Sequence, residues 1–478
     1  MSLLLTVTGP DHPGVTAGLF DVLAAHDAVV SDVEQVVVHG RLLLGVVVSG
    51  QGDGRALRTA LAAAAARLGV EIDVTALDDA VAEPASGRHH VVVLGPSLAP
   101  GAFAGVARRL ASCGANIERI LRLSSSPLAS YDLLVSGGDT ARLRTELAAE
   151  AVTQRIDIAV EAATLWRRAR RLVVMDVDST LVQGEVIEML AAEAGCLEEV
   201  ARVTEAAMAG ELDFEASLRA RVALLAGLPV SSVDAVRGRV RLTPGGRTLV
   251  RTLKRLGYAV AVVSGGFTAI TDDLVADLGL DHSLANTLEV VDGRLTGRVL
   301  GPVVDRARKA QALRQFAALE GVTMAQTVAI GDGANDLDML AAAGLGIAFN
   351  AKPVVREAAD AALSAPFLDA VLFLLGIPRE EVEAADAADV TDAADVTDAA
   401  DVTDAEGIAA VVDAGLYSAS SQTVQAAGTV TIPPRTAAPD AVAATTESAS
   451  EEAEGSADTA TSTATSEVLS STVNRPRR

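Results

Sequence analysis

Two aspartates separated by a single residue follow a short apolar run near the middle of the chain. Residues 173–178 read VVMDVD, and the apolar part predicts a buried strand that leads into the carboxylates. In an extended chain alternate side chains point to one face, so Asp176 and Asp178 would be neighbours. Two carboxylates held close together need a cation, or one of them must bind a proton. Both arrangements suit phosphoryl transfer, with one carboxylate as a metal-bound nucleophile and the other as a proton donor.

Two later segments carry groups that suit a phosphate ion. Ser264, Gly265 and Gly266 follow another apolar run, and a hydroxyl beside two glycines lets backbone N–H groups approach a phosphate closely. Lys309 lies in the segment 305–311 and supplies a compact positive charge for phosphate oxygens. A helix cap and a solvated surface lysine are the ordinary alternatives for these residues.

A second pair of aspartates ends a further apolar run. Residues 329–336 read AIGDGAND, so Asp332 and Asp336 stand four positions apart. Taken alone, this pair is also compatible with a helix cap and a turn. Four such segments in this order favour a single site that handles a phosphate group and a divalent cation.

The pattern around these segments predicts a parallel sheet. From about Trp166 onward, apolar strands alternate with long helical stretches, which is typical of an α/β fold with helices on both faces. In such folds ligands bind at the carboxyl ends of the strands. The α/β domain is predicted to span residues 166–376, and the charged helical segment 184–243 would be inserted as a cap above the site.

The N-terminal part of the chain contains one order of elements twice. Residues 1–80 and 88–163 each read as strand, helix, strand, strand, helix, strand. This pattern predicts two ferredoxin-like α+β domains. A glycine follows the first strand of each copy, Gly14 in one and Gly101 in the other.

Residues 377–478 lack this periodicity. They contain AADVTD three times and 19 acidic against 5 basic side chains, so 14 of the 24 excess negative charges lie there. Such a composition cannot bury enough apolar surface to fold, which predicts a disordered acidic tail. The net charge of −24 argues against a nucleic-acid partner.

The distribution of apolar residues and cysteines bears on location. The chain has no apolar stretch of the length that spans a bilayer, so we expect no membrane association. Its two cysteines, Cys113 and Cys196, are far apart and cannot form a disulfide framework. We therefore expect a cytoplasmic protein.

The four phosphate-handling segments resemble those of the haloacid dehalogenase-like phosphatases and, among them, the phosphoserine phosphatase family. The resemblance covers about 166–376 and implies a Rossmann-like parallel sheet. It implies that Asp176 attacks phosphorus to form an aspartyl-phosphate. Asp178 would protonate the leaving oxygen and later deprotonate the hydrolytic water. It also implies Mg²⁺ bound by Asp176, the Asp178 backbone carbonyl and Asp332. The residues that would hold the phosphoryl group or order the site are Ser264, Gly265, Gly266, Lys309, Asn335 and Asp336.

The cap segment carries the resemblance that bears on substrate. Residues 183–188 (QGEVIE) and 214–222 (FEASLRARV) are similar to the phosphoserine phosphatase pattern. This similarity implies that Glu185 meets the substrate ammonium and Arg221 its carboxylate. Met208 and Phe214 would exclude water when the cap closes. Taken alone, Glu185 and Arg221 are also compatible with solvated helix residues. The implied reaction is the hydrolysis of O-phospho-L-serine, the last step of serine biosynthesis.

The duplicated N-terminal unit resembles the ACT domain, a small-molecule sensor of amino-acid enzymes. The resemblance implies L-serine as a feedback inhibitor and a homodimer in which such domains meet. Gly14 and Gly101 would let helix N-terminal amides face a ligand carboxylate, although tight turns explain both glycines equally well. Two alternatives remain open for the whole chain: another small-molecule phosphatase or phosphotransferase, and a serine sensor with a weakly active phosphatase domain.

Overall fold

The computed structural model describes residues 2–49, 55–77, 87–208 and 211–393, apart from the side chains of Met208 and of residues 388–393. These residues form three β-sheets with helices packed on them. The predicted fold class, a parallel α/β core preceded by two antiparallel α+β units, is confirmed.

The first repeat folds into a four-stranded antiparallel sheet with the order β2-β3-β1-β4. Apolar residues alternate along β1 and β3, so one face of the sheet packs under two helices. All ten residues of β2 are exposed at the edge of this sheet. The elements are β1 (Ser2–Pro10), α1 (Val15–Ala25), β2 (Val29–Val38), β3 (Arg41–Ser49), α2 (Arg55–Leu68) and β4 (Glu71–Leu77).

The second repeat has the same arrangement, with the strand order β6-β7-β5-β8. One face of its sheet packs under its own helices. Val92, Leu94 and Ala159 of the sheet, together with Leu128 just before β7, belong to the same apolar cluster as the α/β domain. The elements are β5 (Arg88–Gly95), α3 (Pro100–Ser112), β6 (Asn116–Ser124), β7 (Ala129–Ser136), α4 (Thr140–Gln154) and β8 (Asp157–Ala162).

The α/β domain is built on a seven-stranded sheet with the order β12-β11-β10-β9-β13-β14-β15. The strands β9, β13 and β14 are buried along their whole length, as expected for a sheet covered on both faces. The strands are β9 (Leu172–Met175), β10 (Ala259–Phe267), β11 (His282–Val291), β12 (Arg294–Leu300), β13 (Thr327–Gly331), β14 (Leu345–Phe349) and β15 (Ala361–Leu363).

Helices surround this sheet and form the cap. Four of them, α6 to α9, lie between β9 and the first helix that follows the cap, α10. The helices are α5 (Leu165–Arg168), α6 (Val186–Ala194), α7 (Leu197–Met208), α8 (Phe214–Ala223), α9 (Val230–Arg237), α10 (Gly246–Arg255), α11 (Thr268–Leu278), α12 (Arg306–Leu319), α13 (Leu337–Ala342), α14 (Pro353–Ala358), α15 (Val371–Leu374) and α16 (Arg379–Ala393). No helix among the described residues is both long and apolar enough to cross a membrane.

The sequence interpretation missed three strands of this sheet. β11 and β12 form an antiparallel hairpin around Asp292 and Gly293, which both have positive φ. An Asp-Gly pair in that conformation is a strong hairpin signal. β15 has only three residues, too few to show a pattern.

The prediction of disorder from residue 377 onward is wrong for its first part, because residues 379–393 form α16. Asp386 accepts hydrogen bonds from Arg251 and Arg255, each at 2.5 Å. Glu380 lies 3.5 Å from Arg122 of β6. Two of the acidic residues that predicted disorder, Glu380 and Asp386, therefore contact arginines of the second repeat and of the α/β domain. The prediction for residues 394–478 lies outside the described part of the chain.

Candidate active site

Asp176 lies just beyond β9, at the carboxyl edge of the central strands. Its backbone N–H donates to the carbonyl of Ile330 in β13 at 2.9 Å. Its Oδ1 accepts from Lys309 Nζ at 2.8 Å and from the Val177 N–H at 2.7 Å. Burial raises the pKa of Asp176 well above its ordinary range, and the Asp336 carboxylate raises it further.

Lys309 is completely buried beneath Asp176 and joins it to Asp336. Its Nζ lies 2.7 Å from Asp336 Oδ1, and both side chains have 0% exposure. Burial alone would lower the pKa of Lys309, but the carboxylates of Asp176 and Asp336 raise it above its ordinary value. The lysine is therefore a fixed positive charge.

Three carboxylates converge beside this lysine. Asp176, Asp332 and Asp336 each offer an oxygen within 4.8 Å of the others. Burial raises the pKa of Asp332 to about 6, with a further contribution from Asp336. One lysine cannot balance three carboxylates, and hard oxygen donors are the ligands of divalent cations such as Mg²⁺. The donor set therefore fits a divalent cation.

Asp178 is oriented from two sides. Its Oδ1 accepts from the Val186 N–H of α6 at 2.9 Å, and its Oδ2 accepts from Ser264 Oγ at 3.1 Å. Burial raises the pKa of Asp178, which favours a carboxyl group that carries a proton. The hydrogen bond to Val186 also ties this carboxyl group to the first helix of the cap.

The two aspartates come together by a different route from the one the sequence suggested. Alternation along a strand does not apply, because β9 ends at Met175 and residues 177–181 form a wide, irregular turn in which Asp178 and Ser179 lack helical backbone angles. Ser179 has a positive φ of 58° in this turn. Thr180, completely buried, donates its hydroxyl to Asp332 Oδ1 at 3.1 Å.

Ser264, Gly265 and Gly266 leave the regular ladder of β10. A Cβ on Gly266 would lie 2.7 Å from Asp178 Oδ2, and one on Gly265 would lie 3.2 Å from Phe214. The Gly266 N–H donates to Ser264 Oγ at 2.7 Å. Both glycines therefore permit a close approach that a side chain would block.

Glu185 and Arg221 lie on the cap side of the site. Glu185 precedes α6 and accepts from Ser179 Oγ at 3.0 Å. Part of its side chain reaches solvent, yet desolvation by the surrounding protein raises its pKa to about 7, with Asp178 contributing. Desolvation lowers the pKa of Arg221, and the carboxylates of Glu185 and Asp178 oppose that shift. The cap thus brings a carboxyl group and a guanidinium close to Asp178.

The remaining predicted site residues are distributed as follows. Phe214 starts α8 and is half-buried against the apolar core next to Gly265. Asn335 lies in the turn after β13, and its Oδ1 would be 2.1 Å from a Cβ on Gly333. The side chain of Met208 lies outside the described part of the structure.

Gly14 and Gly101 do not occupy equivalent positions, contrary to the prediction. Gly14 precedes α1 with a positive φ of 97°. Gly101 lies inside α3, behind Pro100 at the first helical position. Pro100 is the first residue of α3 and stands one position before Gly101. Ala99 therefore takes the capping position.

Comparisons with known proteins agree with this architecture. A model of haloacid dehalogenase-like hydrolases matches residues 173–341, and ACT domain models match residues 1–75 and 87–161. A phosphoserine phosphatase of Streptomyces coelicolor is 60% identical over 390 residues, which cover 80% of this chain and 94% of that protein. The chain belongs to the phosphoserine phosphatase family. The predicted resemblance and enzyme class are confirmed.

Two other members of the phosphoserine phosphatase family extend the comparison. Phosphoserine phosphatase SerB2 of Mycobacterium tuberculosis is 54% identical over 394 residues, 81% of this chain and 96% of that protein. The unliganded crystal structure of a probable phosphoserine phosphatase from Vibrio cholerae matches with a TM-score of 0.50 and 39% identity. The match covers 60% of this chain and 86% of that one. Phosphatases with this haloacid dehalogenase-like core depend on a metal ion.

Proposed function

We propose that this enzyme hydrolyses O-phospho-L-serine to L-serine and phosphate through an aspartyl-phosphate intermediate. The observation that carries the proposal is the contact of Lys309 with Asp176 and Asp336. This cluster lies beside Asp178, whose carboxyl group is hydrogen-bonded to Ser264. The names of the relatives with 54–60% identity favour the same substrate.

The first half-reaction needs a nucleophile and an acid. Asp176 Oδ1 already accepts hydrogen bonds from Lys309 and Val177, which leaves Oδ2 to attack phosphorus. A bond forms between Asp176 and phosphorus, and the bond from phosphorus to the serine oxygen breaks. Asp178 donates its proton to that oxygen, and L-serine leaves.

The second half-reaction returns the enzyme to its starting state. The Asp178 carboxylate accepts a proton from water, and the resulting hydroxide attacks the aspartyl-phosphate. Phosphate leaves, Asp176 regains its carboxylate, and Asp178 is protonated again. Ser264, Lys309 and the Gly265 amide would hold the phosphoryl oxygens in both steps, and Gly266, Asn335 and Asp336 would order the site.

We propose Mg²⁺ as the cation, held by Asp176, Asp332 and the Asp178 backbone carbonyl. When bound, it would neutralise charge on the phosphoryl group. Three convergent carboxylate oxygens support this assignment. Asp336 belongs to the same acidic cluster, but its contact with Lys309 favours a role in holding the lysine.

Substrate selection would occur on the cap side. An amino-acid zwitterion needs one anion and one cation held apart, and Glu185 and Arg221 supply them. A guanidinium binds a carboxylate with two parallel hydrogen bonds, which adds geometric selectivity. Phe214 lies next to Gly265. Together with Met208, it would exclude water from the phosphoryl group.

Phosphate release from a substrate panel tests the proposal. We expect phosphoserine to give a higher kcat/KM than phosphothreonine and glucose 6-phosphate in the presence of Mg²⁺. A higher value for the sugar phosphate would make the chain another small-molecule phosphatase. Tight serine binding without turnover would make it a sensor.

We further propose that the enzyme completes serine biosynthesis in the cytoplasm, as a homodimer inhibited by L-serine at its ACT domains. The two ACT matches support an amino-acid effector. Gly14 supports a site in the first copy, because it takes the capping position of α1 and no side chain caps that helix. Gly101, inside its helix, offers weaker support for the second.

The two glycines provide a matched pair of variants. Gly14→Ala places a side chain at a φ of 97°, which costs about 1 kcal/mol or more, so we expect serine inhibition to weaken severalfold. Gly101→Ala meets no atom within 4 Å and should leave inhibition unchanged. Inhibition curves at saturating Mg²⁺ measure both. Equal inhibition of the two variants and the unmodified enzyme would contradict a site at Gly14.

A further inference from the structure

Asn286 of β11 is a buried polar residue that contacts two of the phosphate-handling segments. Its side chain is 2% exposed. The Nδ2 group donates to the Gly265 carbonyl at 2.8 Å, and Oδ1 accepts from the Val304 N–H at 2.8 Å. Both distances are those of well-formed hydrogen bonds. One side-chain amide therefore joins the main chains of two segments that are far apart in sequence.

The hydrogen bond to Gly265 replaces one that the sheet cannot make. In the parallel pair of β10 and β11, Val263 pairs with Leu284, and the next registered pair is Phe267 with Asn286. Residues 264–266 thus face a single residue of the neighbouring strand and bulge out of the ladder. The Gly265 carbonyl would lack a partner there, and the Asn286 amide supplies it.

The other end of Asn286 fixes the start of α12. Val304 is 1% exposed and immediately precedes Asp305, whose carboxylate accepts from the Arg308 N–H at 2.8 Å. The Asp305 carbonyl accepts from the Lys309 N–H at 2.9 Å. The position of Val304 therefore sets the first turn of α12 and the point from which the Lys309 side chain reaches Asp176.

We propose that Asn286 is a positioning residue that holds the 264–266 bulge and the start of α12 at a fixed separation. Ser264, the Gly265 amide and Lys309 then meet the same phosphoryl group. This inference rests on the proposed phosphatase mechanism. Asn286 contacts the segments that would hold the phosphoryl group and neither Glu185 nor Arg221, so its loss affects phosphoryl binding whatever the rest of the substrate is.

The test compares Asn286→Ala with Leu288→Ala, a control on the same strand. Leu288 is 9% exposed and belongs to the main apolar cluster. With Asn286→Ala, kcat/KM should fall roughly 10- to 100-fold for both phosphoserine and p-nitrophenyl phosphate, because small displacements of positioned groups cost that much. The Ki for inorganic phosphate should rise severalfold. Leu288→Ala should lower Tm but change these constants by no more than about twofold.

Asn286→Asp keeps the side-chain volume and the acceptor for Val304 but removes the N–H that Gly265 needs. It is the second variant if Asn286→Ala fails to fold, and it should lose about threefold or more on both substrates. The proposal is overturned if the folded variant keeps its activity, matches Leu288→Ala, or loses activity with phosphoserine alone. If the unmodified enzyme hydrolyses only p-nitrophenyl phosphate, the proposed substrate is wrong, while the Asn286 comparison still holds on that ester.

Discussion

The floor of the site and its cap side are built in contrasting ways. The floor, formed by Asp176, Lys309 and Asp336, is buried and internally paired. The cap side, formed by Glu185 and Arg221, is partly open to solvent. A buried, paired network stays in one arrangement without a ligand, whereas partly exposed charges can adjust to one. Under the proposed mechanism, the floor would carry out the reaction and the cap side would select which phosphate ester reacts.

Loss of Asp176, the proposed nucleophile, gives the largest expected effect. Asp176→Asn should lower kcat about 10⁴-fold or more with phosphoserine and p-nitrophenyl phosphate alike, because removing a covalent catalyst costs that much. Circular dichroism should show an unchanged fold. A variant that still turns over either ester at a measurable fraction of the original rate would contradict the role of the floor.

Lys309→Met should damage both chemistry and stability. It leaves Asp176 and Asp336 buried without their cation, which costs about 3–5 kcal/mol of unfolding free energy. We expect kcat to fall roughly 10²- to 10³-fold with both esters, as for other lost electrostatic donors. Urea unfolding and steady-state kinetics measure the two effects. The double variant Lys309→Met with Asp336→Leu should recover part of the stability but not the activity. This result would separate the loss of stability from the loss of kcat.

Glu185→Gln should discriminate between substrates. It removes the anion proposed to meet the ammonium, so kcat/KM for phosphoserine should fall roughly 10- to 100-fold, in line with a lost charge-assisted hydrogen bond. Hydrolysis of p-nitrophenyl phosphate, which has no ammonium, should stay close to its original rate. An equal loss of kcat/KM with both esters would mean that Glu185 acts in the reaction itself. It would then contradict the proposed division between the floor and the cap side.

The pH dependence gives the smallest effect. Because the pKa of Glu185 is raised from 4.5 to about 7, the side chain loses its charge as pH falls through 7. The kcat/KM for phosphoserine should therefore decline below that pH more steeply than the value for p-nitrophenyl phosphate. Since the folded chain binds the extra proton, the contribution of Glu185 to stability decreases as pH rises from about 4.5 to 7. Glu185→Gln should remove the difference between the two pH profiles.

The sequence was sufficient where residue type and spacing act locally. The Asp-x-Asp pair and the second aspartate pair follow β9 and β13, and the Ser-Gly-Gly segment lies near the end of β10 in the same sheet. The repeated order of elements in the N-terminal part predicted its two domains. Contacts between distant residues were not predictable. Thr180 donates a hydrogen bond to Asp332, which is 152 residues away in the sequence. The residues around Thr180 give no indication of that contact.

Other features depended on context in the same way. Asn286 has an ordinary local sequence, and its importance emerges only from the bulge it faces. The acidic residues of α16 resemble those of the tail, but Asp386 is stabilised by Arg251 and Arg255, more than 130 residues earlier. Gly101 aligns with Gly14 in the sequence motif. Because Pro100 begins α3, Gly101 lies inside that helix, whereas Gly14 caps α1.

The sheet face of the second ACT domain lies in the same apolar cluster as the α/β domain. Separating the two would expose leucine and valine side chains to water, at about 1.5–3 kcal/mol for each large residue. Heating should consequently melt both domains in one cooperative transition. A displacement of the second ACT domain would then reach the catalytic sheet through this shared interior, without a hinged linker.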